Sequence, residues 1–152
     1  MSVAPGSVLF LCTGNSCRSQ MAEGWLHHLS GGTVEAVSAG IEAHGQNPYA
    51  IRVMREAGVD ISDQASTRLS DDMLAGADLV VTVCGHADEH CPVLPAGVDK
   101  LHWPLEDPAR ARGDDAAVLP VYRASRDDIG RRVHDLLAAY GIETQEMAQW
   151  TG

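Results

Sequence analysis

The sequence predicts an α/β fold, a parallel sheet flanked by helices in a single three-layer domain. Three observations lead there. Strand-like runs alternate with helical segments along the chain. The runs Val8-Leu9-Phe10-Leu11 and Leu79-Val80-Val81-Thr82-Val83 are continuous rather than alternating in polarity, as strands buried on both faces are. A length of 152 residues suits one domain and needs no disulfide to hold it.

The first strand, Val8–Leu11, lies between Gly6 and Gly14. A helix opens at Ser19, carries Met21, Ala22, Trp25, Leu26 and Leu29 at helical spacing, and is stopped by Gly31-Gly32. Val34–Val37 reads as a second short strand. Asn47-Pro48 is an N-cap with proline at the first helical position, so a helix follows and ends at Gly58. Ser70-Asp71-Asp72 starts a short helix through Ala75. Leu79–Val83, rich in β-branched residues, is the strongest strand, and Lys100–Trp103 is the fourth. The final helix is expected from about Leu119 to Tyr140, with Ile129, Val133, Leu136, Leu137 and Tyr140 on one stripe.

A formal charge of −10 argues against nonspecific binding to nucleic acid or to an anionic membrane. It leaves an anionic substrate open, because one pocket can be positive on an acidic protein. The start, MSVAPGS, has no basic region followed by an apolar core, and no apolar run approaches the ~20 residues of a membrane helix. A cytoplasmic protein is expected. Four cysteines in a reducing compartment point to catalysis, metal binding or packing rather than structural disulfides.

Two of these cysteines, Cys12 and Cys84, directly follow apolar strands, and parallel sheets bind ligands at the carboxyl ends of their strands. Cys12-Thr13-Gly14-Asn15-Ser16-Cys17-Arg18-Ser19 joins a strand to a helix. Backbone N–H groups in such a loop form an anion nest, and the helix start adds unpaired donors. Gly14 is expected to supply an unusual backbone angle, and Asn15 to tolerate a left-handed one. Arg18 offers a planar fork that fits two oxygens of a tetrahedral oxyanion. Cys12 at the floor would be a nucleophile whose thiolate shares the anion's donors, with Ser19 adding one more. The expected oxyanion-binding set is Thr13, Gly14, Asn15, Ser16, Cys17, Arg18 and Ser19. The plain alternative is a buried cysteine ending a strand.

This motif, with Ser38-Ala39-Gly40, His44-Gly45-x-Asn47-Pro48 and Asp107-Pro108, resembles the low-molecular-weight protein tyrosine phosphatase superfamily, and within it the thioredoxin-coupled arsenate reductases. The resemblance covers about Val8 to Tyr140. It implies a four-stranded parallel sheet with helices on both sides over residues 7–140, with 1–6 and 141–152 as terminal extensions. It also implies a three-cysteine relay with Cys12 as nucleophile and Cys84 and Cys91 as redox pair, recycled by thioredoxin. Catalytic residues are then Cys12, Cys84, Cys91, Arg18 and Asp107. Asp107 is open to activating Cys84, to serving as leaving-group acid, or to being a plain turn residue.

Seven helical residues would put the Cα atoms of Cys84 and Cys91 about 10 Å apart, whereas a disulfide needs them within about 7 Å. A helical 84–91 segment must therefore unwind or fold over when oxidised. Cys84, His86, His90 and Cys91 also admit a zinc reading, disfavoured by the adjacency of His90 and Cys91. Cys17 is open to a disulfide with Cys12 or, preferred, to packing that shapes the loop. His27, His28 and His134 read as surface residues, and His102 as packed or hydrogen-bonded. No tightly bound cofactor is expected. A potassium ion, which some members of the family hold, would match Asn15, Glu23 and Ser38, but Thr67 stands where an acidic ligand is expected. The expected partners are arsenate and thioredoxin, with neither nucleic acid nor membrane, acting on a monomer. The alternatives are a phosphotyrosine phosphatase using Cys12, Arg18 and Asp107, and a nonenzymatic oxyanion or redox sensor. Tyr49 and Trp103 are the candidates for a phosphotyrosine-binding mouth. Trp150 in the C-terminal tail is open to docking on the surface or on a second copy.

Overall fold

The centre of the sheet is β1 (Ser7–Cys12), all six residues of which are buried. It pairs in parallel with β2 (Glu35–Gly40) on one side and β3 (Leu79–Thr82) on the other. Beyond β3 lies β4 (Asp99–His102), giving the order β2-β1-β3-β4 with every pair parallel. The four-stranded sheet is as expected, and its two inner strands are the two continuous apolar runs. This computed structural model describes residues 4–144. Residues 1–3 and 145–152, including Trp150, lie outside the described residues.

The second strand runs further than its apolar residues suggest. It starts at Glu35 and continues through Ser38-Ala39-Gly40, because pairing with β1 up to Cys12↔Gly40 overrides the low strand preference of small residues. The first helix, α1 (Arg18–Leu29), ends at Ser30, and Gly31 and Gly32 take left-handed φ values of 62° and 81°. α2 (Pro48–Glu56) begins as the sequence predicts, with Asn47 Oδ1 accepting from the Tyr49 and Ala50 N–H groups. α3 (Asp71–Gly76) is capped by Ser70, and α4 (Gly85–Glu89) by Cys84.

The last helix, α5 (Asp115–Ala139), begins four residues before the expected Leu119. Asp114 caps it, accepting from the Ala117 N–H. The segment ahead of Leu119 lies outside the apolar stripe that marks the helix in the sequence. Pro120 sits inside the helix as its sixth residue, where it forgoes one backbone bond.

α1 packs against α5 and β2, α2 covers α5, and α3 and α4 contact β1. Trp25, Phe10, Leu9, Leu11, Met21 and Leu26 are fully buried at this junction. Each is worth about 1.5–3 kcal/mol of apolar burial. Trp25 also donates its indole N–H to the Arg126 carbonyl at 3.0 Å, which ties α1 to α5 without leaving a buried donor unpaired. Among the described residues no helix is long and apolar enough to cross a membrane.

Candidate active site

The chain leaves β1 for β2 on one side, while β3 pairs on the other, so the carboxyl end of β1 is where the strand order reverses. Cys12 stands there. Leu11 pairs with Thr82, and the Val83 N–H donates to the Leu11 carbonyl at 2.9 Å, which brings Cys84 to the same edge. Cys12, Arg18, Cys84 and Asp107 all wall one cleft of about 900 Å³.

The loop between β1 and α1 is held from behind. Ile41 N–H donates to the Cys12 carbonyl (3.1 Å), Glu42 N–H to Thr13 (2.8 Å), His44 N–H to Gly14 (2.9 Å) and Asn47 N–H to Ser16 (3.1 Å). Among the described residues all peptide bonds are trans. In a trans peptide the N–H of the next residue points opposite to the carbonyl. Fixing the carbonyls of residues 12, 13, 14 and 16 on the outer side thus turns the N–H groups of 13, 14, 15 and 17 inward. Thr13, Gly14, Ser16 and Cys17 border the cleft. No side chain caps the start of α1, so its first donors are left for an anion.

Asn15 adopts φ 47°, the left-handed angle expected of it, and is fully buried. Gly14 does not have a left-handed φ. It is needed for space instead, since a Cβ there would lie 2.4 Å from the His44 ring. The expectation of an unusual Gly14 angle is therefore corrected to a close approach.

A directed chain of hydrogen bonds ends on Cys12. Asn15 Oδ1 accepts from the Thr67 N–H (2.7 Å) and from Gln20 Nε2 (3.3 Å), which fixes the amide. Asn15 Nδ2 then donates to Ser19 Oγ at 2.9 Å. Ser19 Oγ lies 2.8 Å from Cys12 Sγ. With its oxygen already accepting, Ser19 has its single hydrogen free for the sulfur, where it stabilises a thiolate.

Arg18 Nη1 donates to the Leu105 carbonyl at 2.9 Å, and Nη2 lies 3.7 Å from Asp107 Oδ2. This holds the guanidinium over the cleft and places the carboxylate opposite the nest. Asp107 also caps the short 3-10 turn Pro108–Arg110, accepting from the Ala109 N–H at 3.0 Å.

Cys84 is buried, and its Sγ is 3.2 Å from the Thr13 hydroxyl and 3.4 Å from the Ala87 N–H. The Thr13 hydroxyl was not anticipated as a partner for Cys84. The residues are 71 apart, and only the β1–β3 register reveals the contact. Cys91 is half-buried just past α4 and does not border the cleft. All four cysteines are free thiols. Burial pushes the Cys17 thiol well above its ordinary range, and the Asp107 carboxylate adds to this. Cys17 is therefore a protonated packing residue in this state.

His86 stacks on His90, their centroids 4.1 Å apart, and among the described residues no three His, Cys, Asp or Glu side chains gather as a metal cluster. Of the residues matched to a potassium ion, Ser38 and Glu23 meet each other. Ser38 Oγ donates to Glu23 Oε1 at 2.5 Å, whereas the Asn15 amide is engaged by Thr67, Gln20 and Ser19.

Burial pushes the Glu23 carboxyl up, against the opposing pull of Ser38. The folded chain then binds a proton that the unfolded chain has released. Glu23 stabilises the fold below the ordinary carboxylate range, near pH 4.3, and this contribution is lost as pH rises toward the raised folded value. Glu23→Gln, which keeps an acceptor for Ser38, is expected to melt higher than the parent at pH 7 and to flatten that part of the stability profile. Thermal melts from pH 4 to 8 check this, and a lower melting temperature for the variant at pH 7 would contradict it.

The family described as low molecular weight phosphotyrosine protein phosphatase matches residues 7–146. An arsenate reductase of Halalkalibacterium halodurans is 52% identical over 126 residues, which cover 83% of this chain and 91% of that protein. Among solved structures, a Corynebacterium glutamicum thioredoxin-dependent arsenate reductase matches with a TM-score of 0.73 at 31% identity. That match covers 92% of this chain and 63% of the longer neighbour. A low molecular weight protein tyrosine phosphatase from T. tengcongensis matches with the same TM-score, 0.73, at 30% identity, covering 91% of this chain and 99% of that one.

Proposed function

The chain belongs to the low molecular weight phosphotyrosine protein phosphatase family, and we propose that it works within it as an arsenate reductase with a three-cysteine relay. Fold likeness is equal toward the reductase and the phosphatase, so it does not choose between them. The sequence identity to a reductase does, and the placement of Cys84 at the mouth of the nest carries the mechanism.

Arsenate enters the nest with its oxygens on the inward N–H groups and on Arg18. The Cys12 thiolate attacks arsenic, an As–S bond forms, and one oxygen leaves as water with a proton that Asp107 can supply. The Cys84 thiolate then attacks Cys12 Sγ. The S–S bond forms as the As–S bond breaks, and its electron pair stays on arsenic, which leaves as arsenite. The two thiols have supplied both electrons. The Cys91 thiolate next attacks Cys84 Sγ and releases Cys12 as a thiolate. The resulting Cys84–Cys91 disulfide is reduced by a dithiol partner, thioredoxin. The Thr13 hydroxyl and the Ala87 N–H, both beside Cys84 Sγ, suit a thiolate there. Work in a reducing cytoplasm agrees with four free thiols.

A phosphatase would need only Cys12, Arg18 and Asp107, all of which border the cleft. Among the described residues walling it there is no Phe, Tyr or Trp to receive a phenol ring. Trp103 is instead buried against Phe10, and Tyr49 donates to Asp115.

The deciding measurement is arsenate-dependent NADPH consumption with thioredoxin and thioredoxin reductase, run on the parent beside Cys84→Ser and Cys91→Ser. Turnover in the parent that both variants lose is the expected result. Phosphotyrosine hydrolysis that survives both substitutions, without arsenate turnover in the parent, would overturn the reading.

A further inference from the structure

The relay asks Cys91 to travel to Cys84, yet α4, which lies between them, is only five residues long. Its ends are tied by backbone bonds from Asp88 N–H to the Cys84 carbonyl (3.1 Å) and from His90 N–H to the His86 carbonyl (3.0 Å). A helix of that length does not persist by itself. Something outside must hold it in the reduced state and let it go.

The neighbouring strand supplies such a hold. Lys100 Nζ, from β4, lies 2.7 Å from Asp88 Oδ1 and donates to the Asp88 backbone carbonyl at 3.4 Å. That carbonyl is one of those a helix leaves unpaired at its C-terminal end. Beneath, the fully buried Thr82 donates its hydroxyl hydrogen to Asp88 Oδ1 at 3.1 Å. Thr82 Oγ1 is also 2.8 Å from His102 Nδ1. Because the threonine has one hydrogen, already given to Asp88, the imidazole must donate at Nδ1. His102, Thr82 and Lys100 thus converge on one carboxylate of α4.

We propose that Asp88 and Lys100 are positioning residues for Cys91, forming a latch that keeps α4 wound until Cys91 is called on to attack Cys84. The purpose of the latch rests on the relay reading, but its existence does not. Lys100 also acts on Cys91 itself. Burial pushes that thiol up, the Lys100 ammonium opposes the push, and Asp88 adds to it. The other titratable side chains of α4 and β4 are His86, Glu89, Asp99 and His102, with His90 at the helix end, and none of them is among the charges acting on Cys91.

The test uses the reduced full-length chain without arsenate, so it stands apart from the turnover assay. Amide exchange over residues 85–91 and iodoacetamide alkylation of Cys91 as a function of pH are followed by peptide mass spectrometry. Asp88→Asn and Lys100→Gln are each expected to speed exchange there by about 3- to 10-fold while leaving alkylation of Cys12 at the parent rate. Lys100→Arg, which can still reach Asp88, should restore protection. The alkylation midpoint of Cys91 should lie lower in Asp88→Asn than in Lys100→Gln, because both release the helix but remove opposite charges. Parent-like exchange in both neutral variants would overturn the latch. A reversed order of the two midpoints would overturn the action of Lys100 on Cys91. If turnover fails in the parent while exchange responds as expected, the relay reading falls and the latch remains.

Discussion

Cys12→Ser is expected to abolish arsenate reduction, lowering turnover by at least about 10⁴-fold. A serine hydroxyl is not ionised at neutral pH. It also cannot take part in the thiol–disulfide exchange that releases Cys12 from Cys84. Phosphate binding should survive nearly unchanged, because the donors are main-chain N–H groups set by the outward-facing carbonyls of residues 12, 13, 14 and 16. Coupled turnover assays and phosphate titration by calorimetry, on the same preparation, separate the two effects. Residual turnover within about tenfold of the parent would show that another group begins the reaction.

Gly40→Ala is the second change with a large expected effect, although the residue touches no substrate. A Cβ there would lie 2.2 Å from the Glu42 carbonyl oxygen, 2.6 Å from the Asn15 nitrogen and 2.8 Å from the Thr13 carbonyl oxygen. All three are main-chain atoms, so no rotamer change relieves the clash. Either β2 separates from β1 at the Cys12↔Gly40 pair, or the nest loop is displaced. Overpacking of this kind costs about 1–3 kcal/mol. A displacement of about 1 Å at a binding loop is worth about 100-fold. The variant should therefore melt lower and bind phosphate about 100-fold more weakly. A parent-like melting temperature together with parent-like affinity would mean that the backbone accommodates the methyl group.

How far the sequence revealed this site depended on how local each feature is. CTGNSCRS is contiguous, and its chemistry follows from residue types alone. The left-handed Asn15 and the Ser19–Cys12 contact were readable for that reason. The role of Gly14 was not, because what fills the space beside it is the ring of His44, thirty residues on. The Thr13–Cys84 contact and the latch on Asp88 were hidden in the same way, each depending on the register between strands that are distant in sequence. The start of α5 was missed for a different reason. Its first turn is exposed and has no apolar stripe, so the capping Asp114 is the local signal for its start. β2 ran past its apolar residues because its partner strand did.

The strap of N–H groups from residues 41–47 behind the nest ties oxyanion binding to folding. Its bonds join segments about thirty residues apart, and they exist only once β1 and β2 have paired. A chain without that pairing has no inward ring of N–H groups, so an oxyanion finds its site only on the native state. By mass action, a ligand at about 100 times its dissociation constant then adds about 2.7 kcal/mol to the native state's stability. For a single small domain that is a sizeable share of the whole. Phosphate, which has the same shape and charge as arsenate, would act as competitor and stabiliser at once. The molecule would thus be hardest to unfold in the very conditions that slow its chemistry.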